Sequence, residues 1–220
     1  MNFRLPLFLR LMLAFRVVTA AAAIDPSLPS IFIAGDSTAA DGLPDAIGWG
    51  RPFPQFFDTT KMNVVNEARG GRSSRTFITE GLWDKLLADV KAHDYVIIQF
   101  GHNDQKPNPK LHSDPDTGYT DNLRRYVADI RAIGAIPIIV SPLSRRNYRD
   151  GQLVDDGLKE YAAAASKVAS DEHVAFVDLF NLSQRYLGAM SQAQADELDA
   201  VAHPDANAEN GSTAKPDRTH

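Results

Sequence analysis

DYVIIQFG, residues 94–101, is the clearest strand in the chain: β-branched and aromatic residues occupy both parities and a glycine closes the run. A strand that is apolar on both faces needs cover above and below, which is the situation of a parallel sheet between helices. Four more runs read the same way: SIFIAGD (30–36), MNVVNEA (62–68), AIPIIVSP (135–142) and VAFVDLF (174–180). Helical patterns alternate with them. Leu82, Leu86 and Val90 recur at i, i+4 and i+8, and TDNLRRYVADIRAIG (120–134) puts Leu123, Tyr126, Val127 and Ile130 on one face before a glycine stop. GLKEYAAAASKVASDE (157–172) is alanine-rich and helix-prone. The expectation is a three-layer α/β/α sandwich with a five-stranded parallel sheet.

At 220 residues the chain is the size of one domain, and 44% hydrophobic with 23% charged residues is ordinary globular composition. A net charge of −5 offers no basic field for nucleic acid. The chain has no cysteine, which removes disulfides, thiolate catalysis and cysteine-ligated zinc. Its six histidines show no H-x-x-x-H spacing, so zinc is not expected.

The opening MNFRLPLFLRLMLAFRVVTAAAA (1–23) has no acids, an apolar middle and small residues suited to cleavage near Ala21–Ala23. We read it as a signal peptide, with the domain at 24–220, and expect a secreted or periplasmic monomer without stable membrane insertion after cleavage. Removing it takes three Arg, leaving 20 basic against 28 acidic residues and a charge of −8.

Four segments carry candidate chemistry, and three of them lie where an open α/β sheet binds its ligands, beyond the carboxyl ends of strands. GDST (35–38) ends the first strand and presents Ser37; taken alone it reads as a helix N-cap. In NEARGGRSSR (66–75), Gly70 and Gly71 let the backbone approach a ligand, and a free N–H there can stabilise an oxyanion. QFGHND (99–104) supplies Asn103, whose carboxamide is a further donor, while His102 reads as a structural residue bonding locally. DRTH (217–220) places Asp217 and His220 on one short loop; a serine hydroxyl needs such a base and a carboxylate to orient it. Arg72, Arg75, Trp49 and Tyr119 are candidate contacts for an acidic, ring-shaped substrate.

Together, in this order, the segments resemble the SGNH (GDSL-like) hydrolases, named for a Ser, a Gly, an Asn and a His that fall here on Ser37, Gly71, Asn103 and His220, with Asp217 in the D-x-x-H block. GDST in place of GDSL, the GRS-x-R run and GHNDQ are most similar to the rhamnogalacturonan acetylesterase branch. The resemblance runs from about residue 31 to the end. It implies a flavodoxin-like fold and a cofactor-free serine esterase acting on acetylated pectin or its oligosaccharides. Ser37 would form the acyl-enzyme, His220 would act as base and Asp217 would orient it. The oxyanion would be held by the N–H groups of Ser37 and Gly71 and the Asn103 side chain. Family members continue past the histidine into a last helix, so this chain is expected to lack that helix. Two alternatives stay open: an SGNH lipase or thioesterase acting on another ester, and a truncated, inactive carbohydrate-binding remnant.

Overall fold

The structure, a computed structural model, describes residues 24–42, 46–155 and 157–198. Five parallel strands form one sheet: β1 (Ser30–Gly35), β2 (Asn63–Asn66), β3 (Tyr95–Gln99), β4 (Ile136–Val140) and β7 (Ala175–Val177), in the order β2-β1-β3-β4-β7. Each lies inside one of the five apolar runs. β1 is buried along its whole length and sits beside β3, with Ile31 opposite Tyr95 and Gly35 opposite Gln99. Pro137 can occupy an inner strand because pairing of β4 with β7 begins only at Ile138, so its missing N–H breaks no bond on that side.

Alternating residues feed two cores. Phe32, Ala34, Val96, Ile98 and Ile139 face one side, where α1 (Ser74–Thr79), α2 (Leu82–Asp89), α3 (Thr120–Ile133) and α4 (Leu158–Asp171) pack through Phe77, Trp83, Leu123, Tyr126 and Val168. Ile31, Ile33, Ile97 and Val140 face the other, covered by Ala39, Trp49, Phe53, Phe57 and Leu179. That second layer is a loop with one 3-10 turn (Phe53–Phe56) and the start of α5 (Leu179–Gly188), thinner than the first.

The predicted face of α3 is buried, and Gly134 ends that helix in the left-handed region at φ +82°. Two expectations are corrected. The run 174–180 is a strand only to Val177, because the Asp178 carboxylate caps α5 by accepting from Asn181 N–H. Val90 is the C-cap of α2 rather than a member. After Gly71, Ser73 and Thr76 close a reciprocal capping box that starts α1. The hairpin β5 (Tyr148–Arg149) with β6 (Gln152–Leu153) and the short helix α6 (Gln192–Asp196) have no signal in the sequence reading. Among the described residues no helix is long and apolar enough to cross a membrane. The candidate leader 1–23 and the DRTH block lie outside the described residues.

Candidate active site

The chain runs from β1 to β2 on one side and then crosses to β3 on the other, so strand order reverses at β1. Ligands of open parallel sheets lodge at such a switch point, beyond the carboxyl ends. The segments after β1, β2 and β3 therefore meet at one edge, and they carry Ser37, Gly71 and Asn103.

Ser37 does not cap a helix. The acceptor in its turn is Asp36, whose Oδ1 takes the Thr38 N–H at 2.9 Å and the Thr38 hydroxyl at 2.7 Å, while Ala40 N–H reaches Asp36 O at 3.0 Å. This leaves Ser37 half-buried at the top of the sheet. Beneath it, Trp49 Nε1 donates to Gln99 Oε1 at 3.1 Å and its ring meets Phe53 edge-on at 5.4 Å, so Trp49 braces the turn.

The second segment is pinned to the first and third. A β-carbon at Gly70 would stand 3.7 Å from Ser37 Cβ, ordinary van der Waals reach. Gly71 holds φ +79°, a conformation that glycine adopts without a Cβ penalty. Among the described residues, neither Ser37 N–H nor Gly71 N–H donates to a backbone or side-chain acceptor. Asn103 is buried; its Nδ2 donates to Arg72 O at 2.9 Å and its Oδ1 accepts from Lys106 Nζ at 2.8 Å. Among the described residues the second Nδ2 hydrogen has no acceptor.

Two buried acids flank these loops. Asp104 accepts at its carboxylate from Ser74 N–H (3.0 and 3.1 Å) and from the Ser74 hydroxyl, joining the third loop to the start of α1. Burial pushes it up to about 7, against the pull of the Ser74 donors and with a push from Asp36. Asp36 Oδ2 lies 3.6 Å from His102 Nδ1, an ion-pair distance longer than a hydrogen bond. Burial raises Asp36, but His102 and the two Thr38 donors outweigh it and hold the acid below its ordinary range. His102 is buried beside Asp36, but the local hydrogen bond expected of it is not seen: neither ring nitrogen has a hydrogen-bond partner among the described residues.

The arginines are less central than their spacing suggests. Arg72 is folded back, its Nε on Glu80 Oε2 and its Nη1 on Gly70 O, both at 2.9 Å. Arg75 is exposed and reaches Pro109 O at 3.2 Å. Tyr119 is no substrate contact: it is fully buried, with its hydroxyl on Phe100 O at 3.0 Å. Asp36, Asp104 and Lys106 escaped the sequence reading, although all three stand within three residues of Ser37 or Asn103. Asp217 and His220 are outside the described residues. No group of three or more His, Asp or Glu side chains is placed to hold a metal ion among the described residues.

Residues 33–208 match the GDSL-like Lipase/Acylhydrolase family. The probable rhamnogalacturonan acetylesterase YesY of Bacillus subtilis is 35% identical over 160 residues, 70% of this chain and 71% of YesY. The rhamnogalacturonan acetylesterase RhgT of the same organism is 34% identical over 152 residues, 68% of this chain and 64% of RhgT. The crystal structure of YxiM from Bacillus subtilis has the same fold, with a TM-score of 0.68 at 26% identity over 76% of this chain. The chain spans 48% of that YxiM chain. A serine, two backbone donors without an acceptor among the described residues and a held carboxamide at one sheet edge agree with these likenesses, and the chain belongs to the GDSL-like lipase/acylhydrolase family of carboxylic ester hydrolases, in its rhamnogalacturonan acetylesterase-like branch.

Proposed function

We propose that this protein is a serine acetylesterase that removes acetyl groups from a plant cell-wall polysaccharide, with acetylated rhamnogalacturonan as its substrate. The observation that carries this reading is that the loops after β1, β2 and β3 meet at one sheet edge: a β-carbon at Gly70 would stand 3.7 Å from Ser37 Cβ, Asn103 Nδ2 bonds Arg72 O, and among the described residues the N–H groups of Ser37 and Gly71 have no acceptor. A carbonyl oxygen placed among them gains charge as it is attacked, and each such donor contributes about 3–4 kcal/mol at the transition state. The activities for which YesY and RhgT are named support acetate as the acyl group and pectin as its carrier.

The steps are those of an acyl transfer. Ser37 Oγ bonds to the acetyl carbon while its proton passes to His220, oriented by Asp217. The C–O bond to the sugar breaks, and His220 returns that proton to the sugar oxygen. Water, giving its proton to His220, then attacks the acetyl–Ser37 ester and releases acetate, and the proton returns to Ser37. No cofactor enters. The solvent-reaching side chains of Arg72 and Arg75 are the proposed contacts for acidic sugars. We read the enzyme as an exported monomer, since a polymer of this size is met outside the cell.

Acetate release from acetylated pectin and from long-chain acyl esters tests the reading. The expected result is release of acetate from pectin, lost in Ser37→Ala, with long acyl esters cleaved more slowly. Faster cleavage of long chains would contradict the substrate.

A further inference from the structure

We infer that Lys106 is a positioning residue for the oxyanion site: its ammonium fixes which end of the Asn103 carboxamide faces the reacting carbonyl and strengthens that end as a donor. The inference rests on the role proposed above for Asn103.

A carboxamide has two ends of nearly the same shape, an oxygen that accepts and a nitrogen that donates twice. Left to itself, a buried amide could present either, and an oxygen turned toward a developing oxyanion would repel it. Two partners decide the matter here. Arg72 O faces Nδ2 at 2.9 Å and can only accept; Lys106 Nζ faces Oδ1 at 2.8 Å and can only donate. A flipped amide would set carbonyl against carbonyl and NH2 against ammonium, two repulsive contacts at once. With the flip fixed, one Nδ2 hydrogen is spent on Arg72 and the other, without an acceptor among the described residues, is left for a ligand.

The turn after β3 delivers the lysine. Gln105 N–H bonds Gly101 O at 3.0 Å and Lys106 N–H bonds Asn103 O at 3.2 Å, folding the chain so that residue 106 returns over residue 103. Gly101 permits this turn at φ +143°, where a β-carbon would also stand 3.0 Å from Pro142. An exposed lysine ordinarily extends into water or toward a carboxylate; among the described residues this one has no carboxylate partner and reaches the neutral side chain of a buried asparagine instead. Charge on the carbonyl oxygen draws electron density from the N–H groups of the same amide, so the free hydrogen becomes the better donor.

The absence of cysteine makes a clean test available, because Lys106→Cys carries a single thiol. Alkylation with 2-bromoethylamine rebuilds an ammonium at nearly the length of lysine; iodoacetamide gives a neutral chain of similar size. With 4-nitrophenyl acetate, an uncharged ester, kcat of Lys106→Cys should fall roughly tenfold to a hundredfold, the range for losing a charged hydrogen bond. KM should move by less than about twofold, as for an interaction made at the transition state. Aminoethylation should restore kcat and carboxamidomethylation should not. Adding Lys106→Cys to Asn103→Ala should cost nothing further.

Full kcat in Lys106→Cys beside a crippled Asn103→Ala would overturn the inference alone, as would a loss that aminoethylation leaves unrepaired. A defect confined to KM on acidic pectin, with normal ester kinetics, would also overturn it and mark Lys106 as a substrate contact. Full kcat in Asn103→Ala would remove the oxyanion reading and this inference with it.

Discussion

Gly71 shows how one residue's backbone sets a site. An alanine there meets no neighbour within 4 Å, so the whole cost of Gly71→Ala comes from φ +79°, about 1–2 kcal/mol of backbone strain. We predict a small loss in thermal stability, with kcat falling much further than that loss explains as the N–H turns away. Equal kcat in glycine and alanine forms, measured on a small acetate ester, would argue against an oxyanion role for that N–H. At this scale the sequence was readable wherever the chemistry dictates the residue type: a serine after a strand, a Gly-Gly pair and an Asn in a turn each announce themselves. Lys106 and Asp104 were not, because their meaning lies in which loop each side chain touches, and Ser74 stands thirty positions away from the acid it holds. Arg72 was legible only in part, since its charge is visible in the sequence but its partner Glu80 is not.

Among the elements, α3 ties the sheet to the site. Tyr126 stacks on Phe100 and meets Trp83 edge-on at 4.5 Å, and its hydroxyl donates to Ser74 O at 2.6 Å. Trp83 in turn donates to Asp129 at 2.9 Å, locking α2 against α3. Tyr126→Phe should cost about 1–2 kcal/mol in denaturant unfolding, the penalty for stranding one buried acceptor, and no change in midpoint would show that the bond contributes nothing. The period of α3 and the doubly apolar strands were legible because burial writes itself into spacing. The start of α1 was hidden by its capping box, in which Thr76 stands where Glu or Gln is usual. The strand over 174–180 was read too long because its apolar residues continue past Asp178, the cap that ends it.

For the molecule as a whole, two buried acids shape stability with opposite sign. Asp104 titrates near 7 in the fold and at its ordinary 3.8 unfolded, so between those values the folded state holds a proton that the unfolded chain releases. Stability is therefore lost as pH rises through that window, on the order of a few kcal/mol. Asp36, held below its ordinary range, contributes stability that is lost as pH falls through the acid range below 3.8. The chain should be most stable at mildly acid pH. Melting temperatures from pH 5 to 8 should decline for the wild type and stay flatter for Asp104→Asn; parallel curves would contradict the assignment.

The central claim, that Ser37 carries the acyl group at the switch point of the sheet, is tested most directly by catching the intermediate. The chain would be quenched in acid during turnover of 4-nitrophenyl acetate, digested, and its peptides mapped by mass spectrometry. The account predicts an acetyl group on Ser37 that vanishes once substrate is exhausted and never forms in Ser37→Ala. Acetylation only at other positions, or undiminished turnover in Ser37→Ala, would contradict it.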